Sequence, residues 1–366
     1  MFASNTGIST SHNYFIEMNR GEARTFRVLL RPLEAGRLNW RFFFSNSVDS
    51  TWNDGTESYA GLPGGRFEIV STSAGAADES AALTGAMVGV EWPQSVVEPG
   101  ACVTSAPVEI DVPENGYIVY SWCLRALEDG CRLPATPDSQ ALCFVAEGDH
   151  CFDGQDAFTA EQMVALPDQF AADRNVRAQM VFMGDSITQG CGTRVNEYEQ
   201  WSTRIAMGME RDVAVWNIGL GYGRGEDAAQ DGAWLNKAKQ GDIVNLCFGV
   251  NDIFQGCGPQ LTENLRLAIR ALHESEKHPK VVLLTIPPFD MTERNEEMWR
   301  SAVNAIREDG LGADAVFDIA SMLCQPVPRD NFAAFGGHPD GRGGAAVAGE
   351  YLSHFWPRHR KALLGE

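Results

Sequence analysis

Residues 176–190 read VRAQMVFMGDSITQG. An apolar run without polar alternation stops at Gly184, Asp185 and Ser186, which is the signature of a strand buried on both faces and ended by a turn. The same pattern returns as DVAVWNIGL at 212–220, DIVNLCFGV at 242–250, KVVLLTIPP at 280–288 and DAVFDIA at 314–320. The segments between them are long enough for right-handed crossover helices. Five buried parallel strands with helices on both faces are therefore expected from residue 176 to 366. Ligands of such sheets bind beyond the carboxyl ends of the strands, where Ser186 falls.

The first 150 residues have a different rhythm. TFRVLL, NWRFFF, GRFEIV, APVEIDV and GYIVYSWCL are short runs rich in β-branched and aromatic residues, separated by NDG, PGG, EPG and PENG. Such spacing predicts an antiparallel sandwich resembling a jelly roll over residues 1–150. Residues 151–175 are polar and read as a linker with a short helix. Two domains suit a chain of 366 residues.

Charge narrows the partners. A formal net charge of −20 and a pI near 4.7 argue against nucleic acid and anionic membrane surfaces. No window approaches the roughly 18 uninterrupted apolar residues of a membrane helix. The start, MFASNTGISTSHNYF, lacks a basic region followed by an apolar one, so a cytoplasmic location, or a leader already lost, is expected. Nine cysteines without a CxxC pair read as reduced thiols rather than a disulfide framework. His150 beside Cys151 lacks partners at ligand spacing, so neither a metal nor a cofactor is expected.

Polar residues gather at strand ends and in late loops: Gly184-Asp185-Ser186, Asn217 to Gly223, Gly249-Val250-Asn251-Asp252, and His338. Each has an ordinary explanation as helix cap, turn or loop closure. Taken together and in order, they resemble the four blocks of the SGNH, or GDSL-type, serine hydrolases. GDSIT at 184–188 is similar to the nucleophile block, NIGLGYG at 217–223 to the glycine block, GVND at 249–252 to the asparagine block, and HPDGRG from 338 to the histidine block. The resemblance covers about half of the chain, from residue 176 to 356. It implies a flavodoxin-like three-layer α/β/α domain, a Ser186 nucleophile, a His338 base, and an oxyanion hole from the Ser186 N–H, a glycine N–H and the Asn251 amide. Elementary chemistry agrees: a serine hydroxyl needs a neighbouring base, and the oxyanion formed on ester attack needs donors fixed in advance. Asp185 and Asp252 read as braces of their loops.

Two positions depart from the family pattern. Where the family commonly carries Asp three residues before its histidine, this chain has Phe335. A backbone carbonyl is then expected to orient His338, as in some two-domain members with a jelly roll, with Asp330 as the possible orienting acid. In the glycine block, the usual glycine position falls on Tyr222. Gly221 is the expected donor, since G-Y-G-R resembles a form of this block in sugar acetylesterases.

The function so implied is a serine esterase acting on short acyl esters, acetyl foremost, of a small molecule or a carbohydrate. A lysophospholipase or thioesterase is the enzymatic alternative, and a carbohydrate-binding protein with a decayed site the non-enzymatic one. Retention of Ser186, Asn251 and His338 favours an enzyme. Trp201, Tyr222, Trp234 and Trp299 are either pocket walls or core. Nothing in the sequence fixes the oligomeric state.

Overall fold

A computed structural model describes residues 2–52, 59–325 and 332–366. The chain divides into two compact units: Met1–Asp49 with Gly61–Val176, and Ser50–Ala60 with Arg177–Glu366. A short excursion of the first half thus belongs to the second unit.

The first unit is built mainly from two antiparallel sheets, beside a two-stranded one that pairs Tyr14–Met18 with Cys131–Ala135. One contains Gly36–Ser45 paired with Gln169–Asp173, and the other contains Ala23–Leu30, Tyr117–Ala126 and Phe67–Ala77 as neighbours. Alternation along NWRFFF turns Trp40, Phe42 and Phe44 inward, all of them buried. These rings meet the facing sheet edge-on or tilted. Phe42 lies 4.3 Å from Tyr120 and Phe44 lies 5.0 Å from Trp122, centroid to centroid. Such contacts between inner faces define a sandwich. The expected linker, 151–175, instead supplies the strands Thr159–Ala160 and Gln169–Asp173. Its short apolar stretch QFAAD was hidden among charges, yet Phe170 is fully buried against Phe42.

The second unit carries the parallel sheet. Its strands are β1 (Ala178–Gly184), β2 (Val213–Asn217), β3 (Ile243–Cys247), β4 (Lys280–Leu284) and β5 (Ala315–Phe317), in the spatial order β2-β1-β3-β4-β5. Every neighbouring pair is parallel. The helices are α1 (Ser186–Gln189), α2 (Trp201–Gly208), α3 (Gly225–Ala229), α4 (Ala233–Ala238), α5 (Val250–Phe254), α6 (Leu261–His273), α7 (Glu293–Asp309), α8 (Ile319–Leu323), α9 (Gly341–Glu350) and α10 (Trp356–Leu364). Helix α9 packs with α2 and α8, and α6 packs with α3, α4 and α7, so the sheet sits within an α/β/α arrangement. The spacing of α6 shows why: Leu261, Leu265, Ala268, Ile269 and Leu272 share one buried stripe. No helix among the described residues is long and apolar enough to cross a membrane.

Candidate active site

Strand β1 ends where its backbone runs out of room. A Cβ on Gly184 would stand 2.2 Å from Thr188 Oγ1 and 2.5 Å from the Cys247 carbonyl oxygen, so only glycine fits. Asp185 then caps α1, its carboxylate accepting from the Ile187 N–H at 2.9 Å. Ser186 is thereby set as the first residue of α1 and remains half-buried. Its hydroxyl faces His338, with Oγ 2.8 Å from Nε2.

His338 comes from the last loop. Asp340 accepts from the Arg342 and Gly343 N–H groups and starts α9, which sets the turn just after the histidine. Gly192 passes so close that a Cβ there would lie 2.7 Å from the His338 Cβ. Phe289 meets the imidazole edge-on at 5.2 Å, and Phe254 meets Phe289 at 5.7 Å. Phe335 is half-buried, with the Arg342 guanidinium 5.9 Å from its ring centre. Asp330 lies outside the described residues.

Asn251 sits in the first turn of α5, where its side-chain amide donates one hydrogen to the Gly223 carbonyl at 3.1 Å. A primary amide has a second hydrogen to offer. Asp252 braces the neighbouring turn by accepting from the Gly225 and Glu226 N–H groups at 3.0 and 3.2 Å. Burial pushes the Asp185 carboxyl up to about 7, with Asp252 adding repulsion, and burial likewise pushes Asp252 up to about 6.

The glycine block differs from expectation in one respect. The Gly221 N–H donates to Gln189 Oε1 at 2.8 Å, in buried surroundings. That donor is already engaged in holding the loop. The next residue, Tyr222, adopts φ of +62° in the left-handed region that glycine normally fills. Its N–H has no acceptor among the described residues, and the same holds for the Ser186 N–H. Gln189 was passed over at the sequence level because its partner is a loop met only in the fold.

The aromatic candidates separate cleanly. Trp201, Trp234 and Trp299 are buried and donate their indole N–H groups to Ile187, Ile218 and Ile286 carbonyls at 3.0, 2.8 and 3.1 Å. They fasten the site's loops from below. Tyr222 alone of the four is exposed, and its ring is met edge-on at 4.9 Å by Trp52. Trp52 arrives on the excursion from the first half, secured by Thr51, whose hydroxyl donates to Asp227 at 2.8 Å and accepts from Arg224 at 3.0 Å. No motif marked Trp52, since its partner lies 170 positions away.

The arrangement can do acyl-transfer chemistry: a hydroxyl against an imidazole nitrogen, with amide donors held by neighbouring strand ends. The match to a protein family points the same way. The model of the GDSL-like Lipase/Acylhydrolase family matches residues 182–346. No curated protein matches the chain. Among solved structures, a family two carbohydrate esterase from Clostridium thermocellum in complex with cellohexaose is 11% identical, with 98% of this chain and 99% of that one covered at a TM-score of 0.41. A member of the lipolytic protein G-D-S-L family from Veillonella parvula is 18% identical, with 48% of this chain and 97% of that one covered at 0.39. Residues 182–346 thus match the GDSL-like lipase/acylhydrolase family, and the chain is an ester hydrolase.

Proposed function

We propose that this protein removes short acyl groups, acetyl foremost, from alcohol oxygens of carbohydrates. Ser186 Oγ attacks the ester carbonyl while His338 Nε2 takes its proton. The imidazolium then gives that proton to the departing alkoxide. Water, deprotonated by the same nitrogen, next cleaves the acyl-serine and restores the hydroxyl. The observation that carries this reading is the 2.8 Å approach of Ser186 Oγ to His338 Nε2.

The oxyanion is held by three donors in this reading: the Ser186 N–H, the Asn251 amide and the N–H of Tyr222 rather than of Gly221. Support for the change is the bond that Gly221 already makes to Gln189. A preference for small acyl groups is supported by the Phe289 ring set against His338, backed by Phe254. A sugar ring is supported by the exposed face of Tyr222 beside Trp52, since flat apolar rings with polar rims suit pyranose faces.

His338 is expected to work without a carboxylate behind it. Asp330→Asn should therefore turn over near-normally, and a collapse of turnover with the fold intact would point to a triad. The substrate reading is tested with p-nitrophenyl esters from acetate to palmitate beside acetylated sugars. Acetyl and propionyl esters should lead, with rates falling sharply by octanoyl. Fastest turnover of palmitoyl or lysophospholipid substrates would replace the carbohydrate reading with a lipid one.

A further inference from the structure

In the first unit, three side chains far apart in sequence meet in a place without solvent. His12 and Asp168 have fully buried side chains, and Asp49 is 4% exposed. One ligand-type atom of each, a ring nitrogen of His12 and a carboxylate oxygen of each aspartate, lies within 4.8 Å of the other two.

The two ring nitrogens of His12 have opposite surroundings. Nε2 stands 2.8 Å from the Leu166 carbonyl oxygen. A carbonyl only accepts, so Nε2 carries the proton and donates it. In the neutral ring Nδ1 then presents a lone pair, and Asp168 Oδ1 is 3.3 Å from it. Two electron-rich atoms in a dry interior repel unless a proton or a cation stands between them. A shared proton would make a short, aligned bond of about 2.7–2.9 Å. Nδ1 makes no hydrogen bond among the described residues.

Both carboxylates are oriented from behind. Asp168 Oδ2 accepts from the Ser45 N–H at 2.6 Å, and Asp49 Oδ2 accepts from the His12 N–H at 3.2 Å. An imidazole that donates one N–H to a carbonyl while aiming its other nitrogen at a braced carboxylate, with a second carboxylate close by, has the surroundings of a metal-ligating histidine. The spacing agrees. Bonds of about 2.1 Å from one ion to two atoms separated by 3.3 Å subtend about 105°, close to the tetrahedral angle. Charge agrees too, because a divalent ion with a neutral imidazole and two carboxylates is formally balanced.

We propose that His12, Asp49 and Asp168 bind a divalent transition-metal ion, zinc by the nitrogen–oxygen donor set, as a structural clamp within the first unit. The clamp joins the amino-terminal segment to the residue that precedes the excursion bearing Trp52. It lies outside the hydrolytic machinery, so the esterase reading stands or falls independently of it.

The experiment is metal analysis of the purified full chain after equilibration with zinc and desalting. About one zinc per chain is expected, with a melting temperature that falls on chelation and recovers when zinc is restored. His12→Ala should lose the bound zinc. Should His12→Ala not fold, Asp49→Asn keeps the shape of the site and should weaken zinc by at least about tenfold. Cobalt substituted into the native chain should give visible d–d bands that either variant abolishes. A folded native chain that retains no zinc and melts at the same temperature with and without it would overturn the clamp and leave a buried His12–Asp168 ion pair. Zinc retained equally by both variants would overturn it as well, by assigning the metal to other groups.

Discussion

The turn after β1 and the turn after β2 leave the same sheet side by side, yet they are built by different means. After β1, the nucleophile is placed by consecutive residues. Gly184 makes room, Asp185 caps, and Ser186 is delivered within three consecutive residues. After β2, the loop is held from outside itself. The Asn217 amide reaches the Thr188 carbonyl at 3.1 Å, Gln189 takes the Gly221 N–H, and Asn251 holds the Gly223 carbonyl. A nucleophile can be specified by its own neighbours, whereas the donors around it depend on what the rest of the fold has already used.

The largest expected effect belongs to the locally built turn. Ser186→Ala should lower turnover by about a thousandfold or more while leaving the melt nearly unchanged, because only a small hydroxyl is lost. Retained activity in a cleanly purified variant would remove Ser186 from the mechanism. Asn251→Ala comes next, with a loss on the order of a hundredfold in kcat, the usual cost of one oxyanion donor. Unchanged kcat would leave that amide with only its bond to Gly223.

Gln189→Ala probes the contrast itself. Freed from its acceptor, the Gly221 N–H should loosen the second turn and cost roughly tenfold in turnover, while Ser186 still reacts with a serine-directed phosphonate. Faster turnover instead would mean that Gly221, once released, is the better donor. Tyr222→Gly should be milder still. Glycine accepts the positive φ and keeps the N–H, so kcat on p-nitrophenyl acetate should stay within about threefold while KM for acetylated sugars rises. A large loss on the small ester would show that the ring, not the backbone, matters there.

The smallest effect concerns stability rather than rate. In the fold, Asp185 holds its proton up to about pH 7 and Asp252 up to about 6, whereas both would lose it near 4 in the unfolded chain. Between these values the folded state binds more protons, so the stability these groups contribute falls as pH rises from about 4 to about 7 and levels off above. Asp185→Asn keeps an oxygen for the Ile187 N–H and should flatten that part of the melting profile. A profile identical to that of the unmodified chain would mean Asp185 is ionised in the fold.

How far the sequence was legible follows the same division. The parallel sheet was readable from unalternated apolar strands, and Ser186 and Asn251 were marked as candidates by polar clusters directly after two of them, whereas His338, in the last loop, was marked only by the resemblance of HPDGRG to the histidine block. The inward aromatics of residues 39–44 were readable by alternation. For Gly221 the sequence could not show the bond from its N–H to Gln189, which only the tertiary position of Gln189 creates. Trp52 was invisible for a related reason, since an excursion out of one unit into the other leaves no periodic mark. Residues 151–175 looked like a linker because their buried apolar runs, Val164 to Leu166 and Phe170 to Ala172, are short and sit amid polar neighbours. His12, Asp49 and Asp168 share no spacing at all and meet only in the folded chain.

The pairing of Ser186 with His338 is tested most directly by labelling the full chain with a serine-reactive phosphonate ester and locating the adduct by mass spectrometry. One adduct, on Ser186, is expected, forming much more slowly in His338→Ala and absent in Ser186→Ala. An adduct on another residue, or labelling of Ser186 at the same rate without His338, would contradict the proposed mechanism.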